Sequence, residues 1–285
     1  MIPVWSEVKA PSCWQTLDFI SDLHLQTTDR ATFMAWHNYM TSTQADALFI
    51  LGDLFEVWVG DDTLVSNAPQ PLGFEAQCQH ILAEASRRMS LFFMHGNRDF
   101  LLGQAAALAC GMTLLSDPTV LVFDEQRWLL THGDALCLDD IPYQQFRKQV
   151  RTDAWCHEFL AQPLVERQAL ARRLRQQSDS IKARKVDINS VAALNWLNAA
   201  DAHTLIHGHT HHPHDHVLTQ EVTVCKQCRV LGDWDMSATP PRGEVLRLST
   251  GAISERLAGF PLKSETNCNI NGLRLIRAHG VLGRG

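Results

Sequence analysis

Five times along this chain a short apolar run ends and a polar residue able to bind a metal follows at once. Leu17-Asp18-Phe19-Ile20 leads to Asp22 and His24, and Leu48-Phe49-Ile50-Leu51 leads to Gly52-Asp53. Leu91-Phe92-Phe93-Met94 leads to His95-Gly96-Asn97, Trp128-Leu129-Leu130 to His132-Gly133-Asp134, and Leu205-Ile206 to His207-Gly208-His209. Runs of this length bounded by Gly fit buried strands. The stretches between them, such as Ala31 to Met40 and Phe74 to Arg88, read as helices. Strands alternating with helices predict a layered α/β fold. In open α/β sheets, sites lie beyond the carboxyl ends of strands. Five strand ends can therefore deliver polar groups to one place.

Asp22 and His24, one residue apart, can both reach a metal from one strand end. Asp53 follows a Gly that lets the backbone turn sharply, and its two carboxylate oxygens can bridge two cations. Asn97 supplies a neutral oxygen, and His132, His207 and His209 supply nitrogen. This mixed O and N set, without Cys, suits Mn²⁺, Fe²⁺ or Zn²⁺ better than Ca²⁺. Two such ions ~3.5–4 Å apart can clamp an in-line displacement at phosphorus and acidify a shared water. Any one of these His alone reads as a core histidine. The ordered series D-x-H, G-D, G-N, H-G-D, H-G-H does not arise readily by chance.

A length of 285 residues suits one large α/β domain, or one with an inserted subdomain. A net charge of −6 argues against a surface given over to nucleic acid. No apolar stretch reaches the ~18–20 residues that span a bilayer, and no signal peptide is evident. The eight Cys show no disulfide framework, which fits a reducing cytoplasm. The expected core covers 16–142 and 198–262, as two packed β-sheets flanked by helices. From Glu221 to Phe260, short alternating runs such as Val222-Val224 and Val245-Leu246-Leu248 predict antiparallel strands closing a second sheet. Residues 143–197 interrupt the alternation and read as an inserted helical cap. Between Arg147 and Lys185 the Lys and Arg outnumber the acids, giving about +6 locally. Residues 1–15 and 263–285 are terminal extensions with no assigned role.

The series of motifs resembles the calcineurin-like metallophosphoesterases. In detail it is similar to the UDP-2,3-diacylglucosamine pyrophosphatases of Gram-negative lipid A synthesis. The matching stretches are Phe19-Ile20-Ser21-Asp22-Leu23-His24-Leu25 and Ile50-Leu51-Gly52-Asp53-Leu54-Phe55-Glu56 with Trp58, Gly60, Asp61 and Asp62. They continue with His95-Gly96-Asn97-Arg98-Asp99-Phe100-Leu101-Leu102-Gly103, His132-Gly133-Asp134 with Cys137, Asp139 and Asp140, Ile206-His207-Gly208-His209-Thr210-His211, and Leu231-Gly232-Asp233-Trp234. The resemblance spans roughly residues 16–262, and the family tends to stop near Gly259-Phe260-Pro261-Leu262.

The resemblance implies two Mn²⁺ ions, one among Asp22, His24, Asp53 and His209, the other among Asp53, Asn97, His132 and His207. It implies hydrolysis of the pyrophosphate of UDP-2,3-diacylglucosamine to UMP and the acylated sugar 1-phosphate (lipid X), by attack of metal-activated water on the α-phosphorus. It places the enzyme in the cytoplasm, peripheral on the inner face of the inner membrane, with no obligate protein partner. Asp53, Asn97, Arg98 and His132 are the expected catalytic residues. Asn97, Arg98, Asp140, Ser178, Lys182, Lys185 and His207 are the expected substrate contacts, with Arg175 as a further candidate.

Arg98 stands where many related phosphoesterases carry a His that can protonate an alkoxide leaving group. An arginine cannot give up its proton near neutral pH. A phosphate leaving group is already stable as an anion, so Arg98 fits a pyrophosphatase, where it can clamp phosphate oxygens. The alternative is an ion pair with Asp99. On a helix Ser178, Lys182 and Lys185 share one face, which holds a phosphosugar or is simply a solvated basic surface. The apolar cap residues Trp155, Phe159, Leu160, Leu164 and Leu174 line an acyl groove or form the cap's own core. The run His211, His212, His214, His216 is given no catalytic role. One rival reading is a phosphoesterase for a soluble nucleotide or phosphoprotein, which would not need acyl chains for turnover. Another is a non-catalytic scaffold, which would lack ligands that are all present here.

Overall fold

The apolar runs are strands buried on both faces, and their alternate residues serve two different cores. A computed structural model describes residues 2–64, 73–180, 186–220, 225–250, 262–270 and 273–280. In chain order the strands are β1 (Ser6–Lys9), β2 (Thr16–Ile20), β3 (Ala47–Leu51), β4 (Ser90–Met94), β5 (Met112–Leu115), β6 (Thr119–Phe123), β7 (Gln126–Thr131), β8 (Thr204–His207), β9 (Asp215–Gln220), β10 (Cys225–Val230), β11 (Glu244–Ser249), β12 (Leu262–Ile270) and β13 (Leu273–Gly280). They form a sheet of order β12-β13-β11-β2-β3-β4-β5 and another of order β1-β6-β7-β8-β10-β9.

Leu17, Phe19, Phe49, Leu51 and Met94 point between the sheets and meet Leu121, Trp128, Leu130 and Ile206. Ile20, Leu48, Ile50 and Phe93 point the other way. There they are covered by α1 (Arg30–Ser42), α2 (Phe74–Ser86) and α3 (Gln104–Ala109), through Trp36, Tyr39, Met40 and Leu82. Asp18, on that outer face of β2, is fully buried. It accepts from Arg247 Nε at 2.6 Å and from Tyr39 Oη at 2.8 Å.

The cap region contains α4 (Ile141–Val150), α5 (Asp153–Leu160), α6 (Leu164–Ser180) and α7 (Ser190–Ala199). The last of these differs from the expectation for 143–197. Its Ala193, Trp196 and Leu197 pack on Leu129, Leu205 and Cys228, so α7 is the outer layer of the second sheet. The segment expected to close one sheet is divided between two. β10 runs parallel to β8, whereas β11 crosses to pair antiparallel with β2. The connection between them passes over the strand ends, which is what brings residues 231–235 to the site. Val222 and Val224 lie outside the described residues.

The terminal extensions also carry structure. β1 pairs with β6, and β13 pairs with β11 while β12 pairs with β13. Among the described residues, no helix is long and apolar enough to cross a membrane.

Candidate active site

β2, β3 and β4 are mutually parallel, as are β7 and β8, and all five end at one edge of the sandwich. The chain turns sharply after each strand. Eight described non-glycine residues have a left-handed φ, and five of them are Asp22, His24, Asp53, His209 and His211. Such backbone is costly for residues other than Gly and gathers at functional sites. It is held by hydrogen bonds between loops. Asp22 N–H donates to Gly52 O at 3.1 Å, His24 N–H to Asp53 O at 3.0 Å, and Trp234 N–H to Asp22 O at 3.0 Å. The buried Asp99 carboxylate accepts from Leu54 N–H at 2.7 Å and Gly96 N–H at 2.9 Å, tying the β3 loop to the β4 loop. Asp99 therefore serves the backbone, and the expected alternative of an Arg98–Asp99 ion pair is replaced by this role. A side chain at Gly96 would collide with Asp53 Oδ1, so only Gly lets these loops approach.

The turns bring two groups of donors together. Asp22, His24 and His211 form one, and Asp22, Asp53 and His132 the other; within each, the ligand atoms lie within 4.8 Å of one another. His211 Nε2 is 3.1 Å from Asp22 Oδ1 and 3.3 Å from His24 Nε2. The Asn97 carboxamide joins the second group through one terminal atom, 3.1 Å from His132 Nε2, 2.8 Å from His209 Nδ1 and 3.2 Å from Asp53 Oδ2. If that atom is oxygen, it meets only lone pairs, an arrangement that a shared cation relieves. His132 Nδ1 faces Leu51 O at 2.8 Å, which leaves Nε2 as the ligating nitrogen.

The electrostatics agree. Burial would raise the Asp22 carboxyl, yet His211, His132 and His24 hold it well below the usual carboxylate range. Burial would lower the His132 imidazole, but the carboxylates of Asp53, Asp22 and Asp134 raise it to about 9. Burial and the neighbouring His132 lower His209 to about 4. The carboxylates thus attract positive charge, raising His132 and His24 above an ordinary imidazole while His209 stays neutral; a bound divalent ion would supply that charge in place of the protons. The residues fit such ions.

From sequence, His207 and His209 were expected as the last ligands, with His211 left without a role. His207 ends β8 fully buried, and its Nδ1 faces Gly208 O at 2.8 Å just as His132 Nδ1 faces Leu51 O. Its Nε2 is buried with no hydrogen-bond partner among the described residues, as a nitrogen kept for a metal would be. The chain then turns through left-handed backbone at His209 and His211. His211 is the neighbour that the sequence reading left out: its Nε2 comes within reach of Asp22 and His24, and its x-spacing from His209 repeats that of Asp22 and His24, the signal that could have found it.

The site opens into a cavity of about 530 Å³ lined by, among others, Arg98, Asp140, Arg175, His211 and Asp233. Asp140 caps α4, accepting from Tyr143 N–H at 3.1 Å. Arg175 on α6 reaches Glu56 Oε1 at 2.5 Å, and the other Glu56 oxygen is 3.1 Å from His24 Nδ1. Asp134, given no role from sequence, is buried and accepts from Tyr143 Oη at 2.5 Å and Arg147 Nε at 2.7 Å, fastening the cap to the loop that carries His132. Lys182 and Lys185 lie outside the described residues, as does the side chain of Ser178. Of the apolar cap residues, Phe159 is buried and Trp155 packs beside Phe100, whereas Leu160 and Leu174 are exposed.

A family model for calcineurin-like phosphoesterases matches residues 16–213. The chain belongs to that family. Among its relatives, the UDP-2,3-diacylglucosamine hydrolase of Aromatoleum aromaticum is 42% identical over 222 residues, covering 76% of this chain and 88% of that one. The protein of the same name from Bordetella pertussis is 40% identical over 230 residues, covering 78% and 87%. A more distant structural likeness is to Vps29 of Cryptosporidium parvum, 10% identical with a TM-score of 0.42, covering 94% of this chain and 99% of that one. The five strand-end motifs of this calcineurin-like phosphoesterase all contribute to the one site, whose donors are those of a divalent-metal hydrolase.

Proposed function

We propose that this protein hydrolyses the pyrophosphate bond of UDP-2,3-diacylglucosamine, giving UMP and 2,3-diacylglucosamine 1-phosphate, in lipid A biosynthesis. The observation that carries the reading is the donor set around one cavity, joined to the relatives' shared name. Asp22, His24, Asp53 and His209 would hold one Mn²⁺, and Asp53, Asn97, His132 and His207 the other, with His211 beside Asp22. The ions would supply an acidified water and neutralise charge at phosphorus.

The chain's own residues do the rest. Asp53 Oδ1 accepts from Arg98 N–H at 2.8 Å, which orients the carboxylate that would face both ions. The Arg98 side chain is a permanent cation at the cavity, as is Arg175, and suits a phosphate that leaves without needing a proton. Asp140, Ser178, Lys182 and Lys185 would hold the phosphosugar, with Arg175 beside them. The basic cap also suits peripheral attachment to the anionic inner face of the inner membrane. No protein partner is invoked.

Turnover of the acylated UDP-sugar beside its deacylated analogue, with Mn²⁺ present, tests the substrate. We expect the acylated compound to be strongly preferred; equal turnover would favour a soluble nucleotide as substrate. Attack at the α-phosphorus is tested in ¹⁸O-labelled water. Label should enter UMP, and label in the sugar 1-phosphate would mean that the substrate lies reversed.

A further inference from the structure

The C-terminal hairpin of β12 and β13 sends one side chain deep into the molecule. Arg277 on β13 is 6% exposed. Its guanidinium donates to Val230 O at 2.7 Å, to Glu244 Oε1 at 2.5 Å and to Asp215 Oδ1 at 2.7 Å. These acceptors come from three different strands. Val230 ends β10, and the chain continues from it directly into residues 231–235. That segment is the back wall of the site. Leu231 N–H donates to His207 O at 2.7 Å and Trp234 N–H to Asp22 O at 3.0 Å. Asp233 Oδ2 is 3.7 Å from His211 Nδ1. Glu244 is joined to the same wall, since its carbonyl accepts from Trp234 Nε1 at 3.2 Å. Burial pushes the Glu244 carboxyl up to about 7 even with Arg277 beside it.

We propose that Arg277 is a positioning residue for the metal site, clamping Val230 and Glu244 so that residues 231–235 hold Asp22 and His207 in place through their backbone carbonyls. The inference rests on the divalent-metal reading of those two residues. A planar guanidinium can meet three acceptors in fixed directions, and a lysine cannot reproduce that fork. Supports of this kind, one step removed from a ligand, typically change metal affinity ~10–100-fold when lost. The hairpin is then part of the working site and not an appendage.

The test is calorimetric titration of the metal-free full chain with Mn²⁺ alone, paired with amide hydrogen exchange over residues 231–235. Wild type, Arg277→Ala and Arg277→Lys are compared at a temperature where circular dichroism shows each folded. Arg277→Ala should bind Mn²⁺ about tenfold more weakly and exchange faster over 231–235, with Arg277→Lys between it and wild type. Wild-type affinity and wild-type exchange in Arg277→Ala, even with a lower melting temperature, would make the arginine a stability feature only and overturn the proposal. Should Arg277→Ala not fold, Arg277→Lys decides by the same two readings. A wild type that takes up no Mn²⁺ would overturn the metal reading itself, and this inference with it.

Discussion

The floor of the cavity and the cap above it are built in opposite ways. On the floor, Asp22, Asp53 and His132 are sealed in, and backbone N–H groups and left-handed turns fix them. In the cap, Leu160, Val165 and Leu174 are 41%, 72% and 37% exposed. Phe159, Trp155, Leu164 and Leu170 pack the cap onto the core, and four arginines tie its polar side to the loops below. Arg147 grips Asp134, Arg151 Nη2 donates to Gly96 O at 2.7 Å, Arg167 meets Asp62, and Arg175 meets Glu56. A change on the floor therefore displaces a ligand, whereas a change in the cap alters how a substrate is held.

The largest effect is expected at Asp53. Asp53→Ala should abolish turnover and metal uptake together, because one carboxylate faces both donor groups. Chelation of the wild type should do the same reversibly, with Mn²⁺ restoring activity. Full turnover in excess chelator, with elemental analysis showing no bound metal, would break the two-metal reading.

Next come the histidines of the last motif. His209→Ala and His207→Ala should each lower activity by several orders of magnitude and release metal. His211→Ala should have a smaller effect and keep its metal, because that ring meets the site through Asp22. Metal content measured on the three purified variants decides it, and loss of metal from His211→Ala with retention in His207→Ala would move the ligand role to His211.

A smaller effect is expected in the cap. Lys182→Ala with Lys185→Ala should weaken substrate use at unchanged metal content. Desolvated charge-assisted contacts are worth ~1.5–3 kcal/mol each, about tenfold or more per residue. Kinetics equal to wild type would make the basic face a solvated surface. The smallest effect on activity is expected at Arg247, far from the cavity chemistry. Breaking its buried pair with Asp18 costs ~3–5 kcal/mol. Arg247→Ala should therefore lower the denaturation midpoint while the folded fraction retains its kcat.

The strands and the convergence of their ends were legible because burial on both faces leaves short apolar runs, and each run hands over to a polar residue at a turn. His211 was not. His207-Gly208-His209 and His209-Thr210-His211 have the same spacing, and only the turns after β8 bring the third ring beside Asp22. The terminal strands were illegible for another reason. β12, Leu-Lys-Ser-Glu-Thr-Asn-Cys-Asn-Ile, is polar almost throughout and occupies a sheet edge, so it carries none of the alternation that marks a half-buried strand. The boundary of the cap was misplaced at α7, whose apolar face looks the same whether it covers a sheet or another helix.

The left-handed backbone at Asp22, His24, Asp53, His209 and His211 has a consequence for tolerance to substitution. A left-handed residue other than Gly costs roughly 1–2 kcal/mol, somewhat less for Asp. Judged by folding alone, the backbone at His24, His209 and His211 would accept glycine with relief, whereas glycine at Asp22 or Asp53 also strands the N–H of His209 or Arg98. Judged by chemistry, glycine removes the donor at all five. A library scored once for abundance and once for turnover would thus disagree most at the three histidine codons, and the disagreement would outline the reaction centre with no ligand in hand.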